Sequence, residues 1–202
     1  VRKGEVVVNL IERASGNHVL KDLVLSVRSV LTVELEPEKW APSVARILRP
    51  FLGNPGLLTL EQRQPDPERY RQHVLHVEET GAFSIVALVW LPGQSTTVHD
   101  HLSWCVIGVH QGREHETSYE VIREGGDEYL LPIGESTHRA GSVAALQPPG
   151  DIHTVHNPGP GTAISIHVYG VDVRKLGSSI RRRYDLPVVE PVPLSFQRAV
   201  AS

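Results

Sequence analysis

Hydrophobic positions along the chain change their period once, near residue 70. Before it, Leu20, Leu23, Val24, Val27, Val30 and Leu31 recur at helical spacing with Lys21, Asp22 and Arg28 between them. This predicts a helical region from about Val19 to Leu52, broken at Pro37 and resumed from Glu38 through Ala45 and Ile47 to Phe51. Gly53-Asn54-Pro55-Gly56 supplies the stop. A polar stretch, Gln62 to Arg69, carries Pro65 and Pro67 into the second regime.

From Tyr70 onward the apolar residues come in short runs: 70–77, 83–90, 104–109, 116–122, 129–131, 142–146, 154–156 and 163–169. Turn signals such as Pro92-Gly93, Gly125-Gly126-Asp127 and Asn157-Pro158-Gly159 separate them. Many short strands at this spacing predict an all-β sandwich or barrel. No period indicates a solenoid or propeller. The reading is one domain, 1–202: a helical cap over 1–56, a barrel core over 70–170, and a segment over 171–202, with Pro187, Pro191 and Pro193, wrapping the outside.

Composition narrows the partners. A chain of 202 residues, 40% hydrophobic and 21% charged, can bury a core of ordinary size. A formal charge of -3 gives no footprint for nucleic acid, and no apolar run is long enough to span a membrane. The single cysteine closes no internal disulfide, and no basic segment with an apolar core opens the sequence; the expectation is a cytoplasmic protein. Small molecules are the expected partners, and no feature specifies an oligomer.

The chemistry concentrates in histidines. In Pro92-Gly93-Gln94-Ser95-Thr96-Thr97-Val98-His99-Asp100-His101 an extended backbone turns His99 and His101 to one side and Asp100 to the other. His153, in Pro148-Pro149-Gly150-Asp151-Ile152-His153, is the candidate third ligand from a neighbouring strand. Imidazole suits iron, zinc, copper and nickel, so the residues alone leave the metal open. Three protein ligands leave open coordination positions, the mark of a catalytic site. Asp100 is expected to hydrogen-bond rather than ligate.

The same parity puts Ser165, His167 and Tyr169 on one face, with Ile166 and Val168 on the other. Buried unpaired polar groups cost roughly 1–3 kcal/mol each, so a mutual Ser165–His167–Tyr169 chain is the expectation, with the phenol aimed at the site. A hydroxyl there can donate a hydrogen bond or a proton. Cys105 falls on the side of His99 and His101, as a small buried hydrophobe on its own terms.

Together the segments from Pro92 to His101, from Pro149 to His153 and from Ser165 to Tyr169 resemble the cysteine dioxygenase family of thiol dioxygenases, within the cupin superfamily. The similarity runs from Tyr70 to Tyr169 and toward Tyr184, about half the chain. The resemblance implies a cupin (double-stranded β-helix, jelly-roll) barrel. It implies Fe(II) on His99, His101 and His153, a Ser165–His167–Tyr169 chain beside it, and a reaction adding both atoms of O2 to the sulfur of a small thiol. The three neutral ligands would leave a positive centre that favours a thiolate, which supplies the electrons.

Substrate choice follows from departures within that resemblance. Cysteine-specific members place an arginine two residues after a tyrosine on the strand before His-x-His. Here Tyr70-Arg71-Gln72 puts Gln72 on the side of Tyr70 and turns Arg71 away, as in the branch acting on 3-mercaptopropionate. A second cation is then expected at the substrate carboxylate, from Arg174 or the run Arg181-Arg182-Arg183, whose plain alternative is a solvated helix face. Cysteine is the alternative substrate. Cys105 matches animal cysteine dioxygenases, whose cysteine crosslinks to the tyrosine; a Cys105–Tyr169 thioether follows as an expectation, although Cys105 stands one residue nearer the histidines than in the animal pattern. Zinc or manganese on the same histidines would instead suit a hydrolase or isomerase. A cupin that only binds a ligand would leave the Ser165–His167–Tyr169 chain without purpose.

Overall fold

A computed structural model describes residues 3–189 of the chain, with side chains from His18. Helix α1 (Lys3–Val33) leads through a 3-10 turn at Pro37–Lys39 into α2 (Trp40–Leu48). The first helix begins well before Val19, where the periodicity starts. Val6-Val7-Val8 and Gly16 are weak helix formers, so the extension is not visible in propensity. Pro37 sits at the first position of the 3-10 turn, where its missing N–H costs nothing.

Ten strands follow: β1 (Arg71–Val77), β2 (Ser84–Trp90), β3 (His99–His101), β4 (Cys105–Gln111), β5 (Arg113–Glu124), β6 (Asp127–Arg139), β7 (Val143–Leu146), β8 (His153–His156), β9 (Ala163–Tyr169) and β10 (Ile180–Arg183). A four-residue helix α3 (Val173–Leu176) precedes β10. One sheet runs β1-β2-β9-β4-β7 and the other β10-β3-β8-β5-β6. Every pairing between strands is antiparallel, and strands far apart in sequence lie side by side: β2 and β4 flank β9, while β3 and β5 flank β8. This interleaving is the double-stranded β-helix of a cupin barrel.

The central strands β2 and β9 of the first sheet are buried on both faces, so β2 reads as a nearly unbroken apolar run, while β9 alternates Ile164, Ile166 and Val168 with Ser165, His167 and Tyr169. Outward, Ile85, Ala87, Val89, Val106, Ile164, Ile166 and Val168 pack against Leu23, Val27, Ala41, Val44 and Leu48 of the helices. Inward, Val86, Leu88, Trp90, Cys105, Ile107 and Tyr169 form a second cluster inside the barrel. Gly108 marks where α2 and the turn after it approach β4: a Cβ there would lie 2.8 Å from a Leu52 methyl and 2.9 Å from a Leu48 methyl.

Two further elements differ from the sequence reading. The arginine run is no helix face: it is strand β10, paired with β3 through a bulge at Ile180/Arg182. After the bulge, Arg182 stands opposite Asp100 and Arg183 opposite His99. The other is β6, which runs far beyond 129–131 as the arm of a long hairpin with β5. Beyond β10 the chain runs alongside β6, where Leu130 bonds Pro187 and Val189; Pro191 and Pro193 lie outside the described residues.

Candidate metal centre

His99 and His101 project together from β3, and His153 enters from β8, whose register pairs it directly with His99. All three are buried, and one ring nitrogen of each lies within 4.8 Å of the others. Each Nδ1 is already engaged: His99 with the Thr97 carbonyl at 2.9 Å, His101 with Asp151 at 2.9 Å, His153 with Glu116 at 2.6 Å. That fixes the tautomers and leaves the Nε2 atoms to converge. Burial, reinforced by His153, lowers His99 to about 3, so its ring is neutral and its lone pair available at neutral pH. This donor set fits a divalent first-row metal with three protein ligands and open positions.

Carboxylates set the outer layer. Burial raises Glu116, but His138 and His153 outweigh it and bring Glu116 to about 2; His138, 3.0 Å from Glu116, is raised in return by the same contact. Asp151 also accepts from the His101 backbone N–H at 3.1 Å, and His101 holds its carboxyl low against the effect of burial. Sequence reasoning missed Glu116 and His138 as supports, because partners on β5 and β6 become neighbours of β8 only through the sheet. Asp151 stood inside the Pro-Gly-Asp-Ile-His motif, where two-residue spacing from the histidine was its one local signal.

Asp100 is fully buried on the far side of β3. It accepts from Tyr184 Oη at 2.7 Å, from the Arg182 backbone N–H at 2.9 Å and from the Arg181 guanidinium. These contacts tie β10 to the metal-bearing strand.

Beside the histidines lies a cavity of about 150 Å³. Tyr70, just before β1, and Gln72 on β1 line it, as does Arg183 from β10. Arg71 is exposed and does not line the cavity, nor do Arg174, Arg181 and Arg182, the last of which pairs with Glu128. Arg174 is exposed on α3, and Arg181 is spent on Asp100. The bulge in β10 accounts for Arg181, since it turns that side chain to Asp100 and sets Arg183 across from His99. No carboxylate is among the described residues lining the cavity.

Trp90, which also lines the cavity and packs on Tyr70 with ring centroids 4.5 Å apart, donates its indole N–H to Ser165 Oγ at 3.2 Å. Ser165 Oγ is 2.9 Å from His167 Nε2, and Tyr169 Oη is 3.0 Å from His167 Nδ1. Burial, then the neighbouring His101 and His153, lowers His167 to about 3, and burial with Cys105 nearby raises the Tyr169 phenol well above its ordinary value. A neutral imidazole therefore links two hydroxyls, one of them at the cavity. Cys105 is wholly buried and stands opposite Tyr169 in the β4–β9 register, on the same face.

Similarity to known proteins falls on the same segments. The chain is 27% identical over 106 residues to the cysteine dioxygenase type 1 of Danio rerio, covering 52% of each chain. It is 27% identical over 128 residues to that of Rattus norvegicus, covering 62% of each. The chain thus spans between half and two thirds of the length of these relatives. A cupin 2 conserved barrel domain protein of Salinispora arenicola superposes with a TM-score of 0.40 at 24% identity, over 55% of this chain and 83% of that one. The family model described as cysteine dioxygenase type I matches residues 59–176, more than half of the chain and a span that holds all three histidines and the Ser165–His167–Tyr169 chain, so this protein belongs to the cysteine dioxygenase type I family.

Proposed function

We propose that the chain is an Fe(II)-dependent dioxygenase that adds both atoms of O2 to the sulfur of a small thiol carboxylate and yields a sulfinate. The observation that carries this reading is three buried imidazoles with every Nδ1 occupied, facing a small cavity that Tyr169 and the His167 relay also reach. Bound on His99, His101 and His153, iron would supply the Lewis acidity and electron transfer that bring O2 to sulfur.

The chain's own groups divide the rest of the work. Three neutral ligands leave a net positive centre in a buried cavity, which favours the substrate as thiolate. Arg183, without a salt-bridge partner among the described residues, takes the carboxylate, and Gln72 in the same cavity is a neutral donor. Tyr169 holds a hydroxyl proton at the cavity. The Tyr70–Trp90 stack closes the wall.

Within this reading 3-mercaptopropionate is favoured over cysteine and cysteamine. An ammonium group would find no carboxylate among the described lining residues, and Arg71 is turned away. The names of the family model and the relatives favour cysteine, which is the second reading. Oxygen uptake by the Fe(II)-loaded protein with the three thiols in parallel tests both. The expected result is fastest uptake and sulfinate formation with 3-mercaptopropionate, lost on chelating iron and not restored by zinc. Fastest uptake with cysteine selects the second reading, and a flat response to all three refutes thiol oxidation.

A further inference from the structure

A second cleft, of about 340 Å³, lies where the turn between β4 and β5, the end of β6 and the loop between β8 and β9 come together. It shares no lining residue with the cavity beside the histidines, and its volume falls within the range of small-molecule sites, about 300–1,000 Å³. Two cations line it, Arg113 and Arg139, which stand directly opposite each other in the β5–β6 register. No carboxylate is among the described residues that line it.

Like charges directly opposite on neighbouring strands destabilise a sheet unless something offsets them. Neither guanidinium has an ion-pair partner among the described residues, and that of Arg139 makes no hydrogen bond there. The next carboxylate on this face of β6, Glu135, is roughly 13 Å away along the strand and lies 3.8 Å from His115 instead. One exposed arginine would simply be solvated. Two that face each other across a cleft without an acid are the arrangement that a bound anion neutralises.

The cleft is also built to hold one of the two in place. Arg113 is half-buried, and its Nε–H donates to the Gly159 carbonyl at 2.7 Å. That bond orients the guanidinium and leaves its four terminal N–H groups without a partner among the described residues. The accepting loop is braced by buried Asn157, whose Nδ2 donates to the Gly161 carbonyl at 2.8 Å and the Trp90 carbonyl at 3.0 Å, and whose Oδ1 accepts from the Gly159 N–H at 2.8 Å. On the other side, a Cβ at Gly112 would come within 3.0 Å of the Thr162 carbonyl oxygen, so the β4–β5 turn and the loop lie in contact. A donor fixed before binding loses little freedom when the ligand arrives.

We propose that this cleft is a second ligand site, in which Arg113 and Arg139 together bind the phosphoryl group of a small phosphomonoester. A phosphoryl group carries about 1.5–2 negative charges at neutral pH and three acceptor oxygens, which matches two guanidinium charges and the free N–H fork of Arg113. A monocarboxylate would neutralise only one of the two cations. The volume beyond the arginines takes the organic part of the ester, with the Thr162 side chain at the same cleft. The site stands apart from the metal centre and does not depend on what is oxidised there.

The test is an amide NMR titration of the zinc-loaded, diamagnetic protein with inorganic phosphate, glycerol 3-phosphate and succinate at constant ionic strength. Both phosphates should give saturable shifts at Gly112, Arg139, Gly161 and Thr162, with glycerol 3-phosphate at least as tight as inorganic phosphate and succinate weaker. R139Q should weaken phosphate binding about 10-fold or more, the loss of one charge-assisted contact. In phosphate-free buffer R139Q should melt no lower than wild type, and R139E, which sets an acid opposite Arg113, should melt higher. Phosphate should raise the melting temperature of wild type and leave that of R139E unchanged. Shifts confined to the cavity of Tyr70, Arg183 and the three histidines would place the anion at the metal centre and overturn the proposal, as would the absence of saturation. Equal binding of succinate overturns the assignment to phosphate, and exclusion of glycerol 3-phosphate overturns the ester. An R139Q protein that binds phosphate as wild type does, or that melts below wild type in phosphate-free buffer, shows that the opposed pair is not an anion site.

Discussion

Glu116→Gln removes the charge from the shortest hydrogen bond at the metal centre, Glu116 Oε1 to His153 Nδ1 at 2.6 Å, while keeping the side chain's shape. A hydrogen bond to a charged group contributes about 1.5–3 kcal/mol. At about 1.4 kcal/mol per tenfold change in an equilibrium constant, its loss should weaken metal binding about 10- to 100-fold. That matches the usual effect of removing a partner that orients a ligating histidine. The substitution also frees His138, 3.0 Å from the other carboxylate oxygen, so the raised pKa of His138 should relax toward its ordinary value.

The measurement is competition for zinc between the protein and a chromophoric chelator, with a thermal melt of the metal-free protein to separate folding from affinity. The pH dependence has a definite sign. Glu116 is depressed from 4.5 to about 2, so its contribution to stability is complete above the ordinary value and is lost as pH falls through about 2. E116Q should lack that acid-side loss. A variant that binds zinc as tightly as wild type, with an unchanged melt, would show that His153 is oriented by the sheet and not by Glu116.

Other substitutions separate neighbouring roles. Arg183→Gln should raise KM for a thiol carboxylate by about 10-fold or more without altering the melt, whereas Arg181→Gln, which unpairs buried Asp100, should lower the melting temperature; equal KM effects in steady-state kinetics would refute the assignment. Gly108→Ala should cost about 1–3 kcal/mol by denaturant unfolding, because the new methyl meets Leu48 and Leu52; an unchanged midpoint would mean the α2 region shifts freely. Intact mass after aerobic expression with iron should fall by two hydrogens if Cys105 and Tyr169 join, and a full mass counts against the thioether.

Much of the fold is legible because burial is one-sided or two-sided in ways the chain records. The amphipathic stretch from Val19 to Phe51 shows its helical stripe, and β2 shows a nearly unbroken apolar run because helices cover one of its faces and the barrel interior the other. Legibility fails where polar side chains alternate for reasons of chemistry. In β5, Glu114 and Glu116 are buried while His115 and Thr117 are less so, the reverse of what charge predicts. The arginine run reads as solvated surface because the contact that makes it a strand, Arg182 N–H to Asp100, spans 82 residues. Ser165, His167 and Tyr169 are readable by parity, since a strand assignment fixes which side each faces, whereas Gln72 is singled out by the family resemblance and only its side by parity.

The two sheets contribute unequally to the chemistry. The second sheet carries the three histidines on β3 and β8, with Glu116 on β5 and Asp100 locked to β10. The first sheet carries Trp90, Ser165, His167, Tyr169 and Cys105 on β2, β9 and β4, backed by the helices. Metal affinity should therefore follow polar contacts within one sheet, while the phenol's aim follows packing behind the other.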